Sequence, residues 1–382
     1  MSKGGHFLAQ QPKKKTKTWV VVVAVILAVI LLLGALAAWF VVSKMNKINR
    51  ADRGDNQLSA EDIGKYMIED TTAPTTEATT VPTTEATTAP TEETKPDYGK
   101  LGKIVNFLLI GQDARPGEDS KNSDTVLLVS VNKETKKITM ISFLRDSFVV
   151  IPKVYDTYGN EHSGQTKLTL AYAMGYKWGG DLGAMEIMDQ VVERNFGAVV
   201  DYNVEINLDA FDAIINAVGY ITADLDEDEA AYMNEKFKDY PDRNFKVGEN
   251  RLDGWAAEEY ARMRHSSNAD NDYKRTARQR TVVSQVLERV KGMNVMQINA
   301  LVDELLDKVL TDMTNSDITT CITELLPLLP EMTMDSLQCP NADMDLSGKL
   351  IDLFKDGSPE QSIQTFTESK AKAIITAITE DD

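Results

Sequence analysis

The chain has 382 residues, 42% hydrophobic and 26% charged, and carries 59 Asp+Glu against 41 Lys+Arg for a formal net charge of -18. This is enough apolar material for a full core, as one large domain or two small ones. With only three histidines (His6, His162, His265) there is little material for an imidazole-built zinc site or a Ser-His-Asp triad.

Residues 1–17 end in the basic run KKKTK and precede TWVVVVAVILAVILLLGALAAWFVVS (18–43), which holds no charge between Lys17 and Lys44. At about 1.5 Å per residue that run more than spans a bilayer core. It reads as an uncleaved transmembrane helix with Trp19, Trp39 and Phe40 in an aromatic belt. The competing reading is a signal peptide cut near Ala35-Leu36-Ala37, but such peptides have apolar regions of roughly 7 to 15 residues. The lysines of KKKTK place the N-terminus in the cytoplasm and the bulk of the chain outside, although Lys44, Lys47 and Arg50 weaken the asymmetry.

Residues 44–70 are polar and read as a stalk. In 71–97, Pro74, Pro82 and Pro90 recur every eight residues around a TTEATT unit, a composition that buries no apolar area and makes a disordered, solvated spacer. Folded sequence begins near Tyr98. KIVNFLLIG (103–111) reads as a strand, and TVLLVSVN (125–132) with KKITMISF (136–143) reads as a hairpin turning at Lys133-Glu134-Thr135. KLTLAYAMGY and AMEIMDQVVERNF have helical spacing, DYNVEIN (201–207) alternates as a strand does, and LDAFDAIINAVG (208–219) is a helix closed by Gly219. LDGWAAEEYARMR (252–264) is a further helix, followed by a polar loop and a helix opening with RTARQR, on which Arg275, Arg278 and Gln279 share one face. The predicted fold class is α/β, a central mixed sheet flanked by helices, occupying 98–293. Residues 294–382 read as mostly helical, packed on that domain and carrying no chemistry. Cys321 and Cys339 stand as either one disulfide or two buried thiols.

Arginine is concentrated against the prevailing charge. Beyond residue 50 the chain holds 12 arginines, and five of them (Arg262, Arg264, Arg275, Arg278, Arg280) fall within 260–280. Such clustering in an acidic background points to an anion. Asp113 and Arg115 follow the first strand, Asp124 precedes the second, and Arg145 and Asp146 close the third. Neighbouring strands lie about 5 Å apart, so Asp113 and Asp124 can converge on a hard cation such as magnesium. Two carboxylates for a metal and guanidinium forks for non-bridging oxygens are the parts that phosphoryl transfer uses. Turn chemistry and surface ion pairs are the structural alternatives for these same residues. Nucleic acid, the competing phosphate, fits an acidic, external chain badly.

With these residues in view, the chain resembles the LytR-CpsA-Psr family. The likeness rests on NFLLIGQDAR, SDTVLLVSVNKETKKITMISFLRDSFVVIP, KLTLAYAMG, VDYNVEINLDAFDAIINAVG and LDGWAAEEYARMRHSSNADNDYKRTARQR, in that order over roughly 100–290. The resemblance implies a single-pass cell-membrane enzyme of a Gram-positive type cell. Its extracytoplasmic domain would move an anionic glycopolymer, such as teichoic acid or capsular polysaccharide, from an undecaprenyl-pyrophosphate carrier to peptidoglycan with magnesium. It implies Asp113 and Asp124 as metal ligands, and Arg115, Arg145, Arg262, Arg264, Arg275, Arg278 and Gln279 as pyrophosphate contacts. Arg145 is also implied in catalysis, with Asp146 or Asp272 to orient the acceptor hydroxyl. It further implies an apolar lipid pocket between sheet and helices. Two positions depart from the family pattern: Asn122 stands where Arg is usual, and Lys274 where Gly is common. Two other functions use the same arginines: a binding protein that grips polyprenyl pyrophosphate without transfer, and a pyrophosphate hydrolase. The aspartate pair favours an enzyme over a pure anion binder.

Overall fold

In a computed structural model of the protein, the compact unit Ile48–Asp382 is described at residues 49–50, 101–112, 121–155, 161–263, 269–305, 308–353 and 359–380. The predicted transmembrane run 18–43, the linker 71–97 and the stalk other than Asn49 and Arg50 lie outside the described residues, as do Asp113, Arg115 and Arg264. Among the described residues no helix is long and apolar enough to cross a membrane.

The centre is a seven-stranded mixed sheet in the order β1 (Asn49–Arg50), β10 (Leu310–Thr311), β7 (Tyr202–Ile206), β2 (Ile104–Gln112), β3 (Ser123–Asn132), β4 (Lys137–Phe143), β11 (Thr333–Cys339). β2, β3 and β4 run antiparallel to their sequence neighbours, while β7 joins β2 and β11 joins β4 in parallel. The α/β class and the three early strands are as the sequence indicated. Asn49 and Arg50, assigned to the stalk, instead pair with Leu310 and Thr311.

Strand residues alternate between two apolar layers, as a period of two requires. Leu108, Ile110, Val126, Leu128, Ile141 and Phe143 face α1 (Leu168–Phe196) and α8 (Glu368–Thr379). Leu127, Val129, Val131, Ile138 and Met140 face the layer that includes Val283 and Leu287 of α5 (Ala269–Lys291). The two helical stretches read at 167–176 and 184–196 merge into α1 around a break at Gly179 and Gly180, whose φ of 64° lies in the left-handed region open to glycine.

A third apolar cluster joins α2 (Leu208–Ala217), the hairpin β8 (Ile221–Leu225) and β9 (Gly248–Leu252), α3 (Glu227–Lys236), α4 (Gly254–Arg262) and α5. The β8–β9 hairpin, α3 and the hairpin β5 (Phe148–Tyr155) with β6 (Glu161–Lys167) lack a clean sequence period and went unread. α4 is fixed by Asp253, whose carboxylate caps Ala256 N–H at 3.0 Å and pairs with both Nη atoms of Arg243.

The expected domain boundary at 293/294 needs correction. After α6 (Val295–Leu305), residues 310–311 and 333–339 supply two strands of the central sheet on either side of α7 (Asn315–Leu325). Farther on, β12 (Ser347–Ile351) pairs with β13 (Gln361–Thr365), and Ala371 and Ile375 of α8 are fully buried in the α1 layer. A segment with this much shared core is part of the same folded body. Cys321 and Cys339 are both free thiols. Burial raises the Cys321 thiol pKa to about 12 and also pushes up that of Cys339, so both stay protonated and inert at neutral pH.

Candidate functional site

Gly111 of β2 lies opposite Thr125 of β3, and a Cβ at Gly111 would meet Thr125 Cβ at 2.8 Å. Only glycine allows this approach. The register then shifts, so that Gln112 pairs with Ser123 and Asp124 is left as the extra residue of a bulge. A bulge re-aims the side chain it carries, here delivering Asp124 to the mouth of a cleft.

That cleft has a volume of about 330 Å³. Its apolar walls are Leu109 and Leu127 from the sheet, Leu208 and Phe211 from α2, and Ala261 and Val283 from α4 and α5. Its polar lining includes Asp124, Glu258, Arg262, Arg275 and Gln279. Arg262, partly exposed, pairs with Glu258 at 2.8 Å across one turn of α4.

Arg145 stands in the turn after β4, and its Nη1 pairs with Asp124 Oδ1. Its Nε lies 3.9 Å from Asp146 Oδ2 and 3.8 Å from Asp272 Oδ1. Arg275 Nη2 binds Asp272 Oδ1 at 2.6 Å and donates to the Asp124 carbonyl at 3.4 Å. Burial works against the Arg145 charge, but Asp124, Asp146 and Asp272 outweigh it and hold its pKa above the ordinary value. The Nε atoms of Arg145 and Arg275 are buried and have no hydrogen-bond partner among the described residues.

The turn that carries Arg145 and Asp146 is held from three elements. Leu144 N–H donates to Cys339 O of β11 at 2.9 Å, Thr169 N–H of α1 donates to Arg145 O at 2.9 Å, and Gln364 N–H of β13 donates to Asp146 O at 2.8 Å. Tyr273 OH reaches Gln364 Oε1 at 3.5 Å. Residues 294–382 therefore help to position the site, a role the sequence left open. Lys167, buried at the N-cap of α1, pairs with Asp146 Oδ1 at 3.2 Å. Sequence reasoning missed Lys167; a lysine before a helix, where the dipole disfavours a cation, was the available signal.

Arg278 requires a correction. It is 3% exposed and does not line the cleft. Its Nη1 pairs with Glu229 at 3.0 Å, its Nε donates to Tyr260 O at 3.0 Å, and its Nη2 donates to Met263 O. One turn-step off the Arg275–Gln279 face, it turns beneath α4 and ties that helix to α3. Among the described residues no three His, Cys, Asp or Glu side chains gather as a metal-ligand group. Magnesium is commonly held by one or two carboxylates with phosphate oxygens and water. Of the two aspartates assigned to the metal, Asp124 fits that donor role at the cleft mouth, and Asp113 is not described.

The chain is 31% identical over 220 residues to a protein of Oceanobacillus iheyensis named polyisoprenyl-teichoic acid–peptidoglycan teichoic acid transferase TagU, covering 57% of this chain and 62% of the relative. It is 32% identical over 215 residues to biofilm regulatory protein A of Streptococcus mutans, covering 53% of this chain and 50% of the relative. The matched stretches thus span less than two thirds of either relative's length. The crystal structure of protein gbs0355 from Streptococcus agalactiae superposes with a TM-score of 0.57 at 26% identity, over 73% of this chain and 89% of that one. A family model, the LytR_cpsA_psr family, matches residues 70–368, most of the chain and all of the site described above, and the protein belongs to the LytR-CpsA-Psr family.

Proposed function

We propose that the protein is a membrane-anchored, extracytoplasmic phosphotransferase that moves an anionic glycopolymer from an undecaprenyl-pyrophosphate carrier to a peptidoglycan hydroxyl. The observation that carries this reading is the cleft, whose lining combines apolar walls from the sheet and three helices with arginine and carboxylate. An amphiphile with a pyrophosphate head matches that division of chemistry: the lipid lies against Leu109, Leu127, Phe211 and Val283, and the head meets Arg145, Arg262 and Arg275. The name borne by the Oceanobacillus iheyensis relative supports teichoic acid as the polymer class. The uncharged run 18–43 after a basic N-terminus supports the anchor and its orientation.

In the proposed reaction the acceptor hydroxyl attacks the phosphorus that bears the glycan. The bond from that phosphorus to the bridging oxygen breaks, and polyprenyl phosphate leaves. The hydroxyl proton passes to Asp146 or Asp272, the two carboxylates within 4 Å of Arg145 Nε. Arg145 and Arg275 spread their donors over the phosphoryl oxygens, where negative charge grows in the transition state. Asp124 would hold magnesium, which when bound supplies further neutralisation of that charge.

Transfer from a polyprenyl-pyrophosphate-linked sugar to a peptidoglycan oligomer, by the full chain with magnesium and with chelator, tests the reading. Product is expected with metal, and is expected to be lost in chelator and in Asp124→Ala and Arg145→Ala. Tight lipid binding with no product would leave a binding protein, and release of polyprenyl phosphate without transfer would leave a hydrolase.

A further inference from the structure

Helix α5 presents a second side. Ala277, Arg280, Thr281 and Ser284, spaced at i, i+3, i+4 and i+7, line a separate, open cavity of about 390 Å³ flanked by Met334 and Ser336 of the edge strand β11. None of these residues lines the cleft. Arg275 and Arg280 are five residues apart, about 7.5 Å along the axis, on different faces of a helix about 10 Å thick. One pyrophosphate head cannot serve both.

Arg280 is unlike the other described arginines of the cluster. Arg262, Arg275 and Arg278 each have a carboxylate partner. The Nη1 of Arg280 is closed off from solvent and has no hydrogen-bond partner among the described residues. Burial pulls its pKa below the ordinary value. Asp335 also lines the cavity, but its Oδ2 is held by Lys137 Nζ at 3.1 Å. Gln285 Oε1 already accepts from Thr222 OH at 2.5 Å. What remains on offer is a guanidinium fork beside the hydroxyls of Ser284 and Ser336, Ser284 Oγ making only a 4.0 Å contact to Met334 Sδ that a phosphate oxygen can replace. A guanidinium nitrogen cut off from water without an acceptor is costly, and a tetrahedral oxyanion offers it one.

We propose that this cavity is a second oxyanion site, in which Arg280 anchors a phosphate group and the hydroxyls of Ser284 and Ser336 donate to its other oxygens. It is independent of the transfer reaction: the cavity would bind phosphate whether the cleft transfers, hydrolyses or only binds its ligand. Two sources present the same chemistry, namely free phosphate and the phosphodiester of an anionic polymer.

Calorimetric titration of the full chain with inorganic phosphate, and separately with a short glycerol-phosphate oligomer, tests the proposal on wild type, Arg280→Gln and Arg275→Gln. Wild type is expected to show a binding step that Arg275→Gln keeps and Arg280→Gln weakens at least tenfold. Tighter binding of the oligomer would assign the site to a polymer, and tighter binding of inorganic phosphate to the free ion. Thermal melts in phosphate-free buffer guard against misfolding. Arg280→Gln removes a half-buried charge that has no ion-pair partner among the described residues, so its melting temperature should equal or exceed wild type, while the phosphate-dependent rise should fall well below that of wild type to the part the cleft supplies. A phosphate response in Arg280→Gln equal to wild type, or no response in Arg275→Gln, would overturn the proposal.

Discussion

Asp272 Oδ1 lies between two arginines, 2.6 Å from Arg275 Nη2 and 3.8 Å from Arg145 Nε. The carboxylate lets two guanidiniums from distant parts of the chain stand close together, and in the proposed reaction it is one of the two candidates to take the acceptor proton. Asp146 is tied on its other side to Lys167 at 3.2 Å. Whichever of the two accepts the proton, its replacement by alanine should lower the transfer rate by about 10²- to 10⁴-fold. Single-turnover assays of Asp146→Ala and Asp272→Ala, beside lipid-pyrophosphate binding, separate the roles. The base variant keeps binding and loses rate, whereas a residue that only positions arginine loses both.

Arg278 should behave as a structural residue. Arg278→Met leaves the partly buried Glu229 carboxylate unpaired, and loss of one partner of a buried pair costs about 3–5 kcal/mol. Arg262→Gln should cost less, because the Arg262 end of its pair is 41% exposed and glutamine still offers a donor to the buried Glu258 carboxylate. Urea unfolding midpoints compare the two. If Arg278→Met kept wild-type stability but lost lipid-pyrophosphate binding, the residue would return to the ligand site.

Asp253 gives α4 an acid-sensitive anchor. Burial opposes its charge, but the hydrogen bonds from Arg243 and from Ala256 N–H outweigh this and hold its pKa below the ordinary aspartate value of about 3.9. A depressed folded pKa contributes stability that is complete above the unfolded value and is lost as pH falls through the folded one. Asparagine still caps a helix but cannot pair with arginine. Asp253→Asn should therefore melt below wild type at pH 7, and the gap should close below about pH 3.9, which thermal melts across pH 2.5–7 would show. A gap that stayed constant with pH would mean the ion pair contributes nothing.

Sequence alone was enough for the α/β class, the β2–β3–β4 core, helix α4 and the grouping of arginine with aspartate. These features are local: strand alternation, helical spacing and charge clustered against its background all leave marks within about ten residues of chain. The family was also legible, because several such blocks recur in a fixed order.

Tertiary structure decided the rest, because the determining contacts join residues far apart in sequence. Nothing in TMDSLQC says that it will run parallel to β4 at the edge of the sheet, since its alternation is weak and its partner lies nearly 200 residues earlier. Nor does QSIQT announce that Gln364 will hold the Asp146 carbonyl. The arginines illustrate the limit most directly. In RTARQR, Arg275, Arg278 and Arg280 look equivalent, yet the 100° step of the helix turns Arg275 to the cleft, Arg278 to Glu229 under α4, and Arg280 to the cavity beside β11. Composition brought the guanidiniums together, and which neighbour each one met was fixed by the packing of α5 against the sheet and α4.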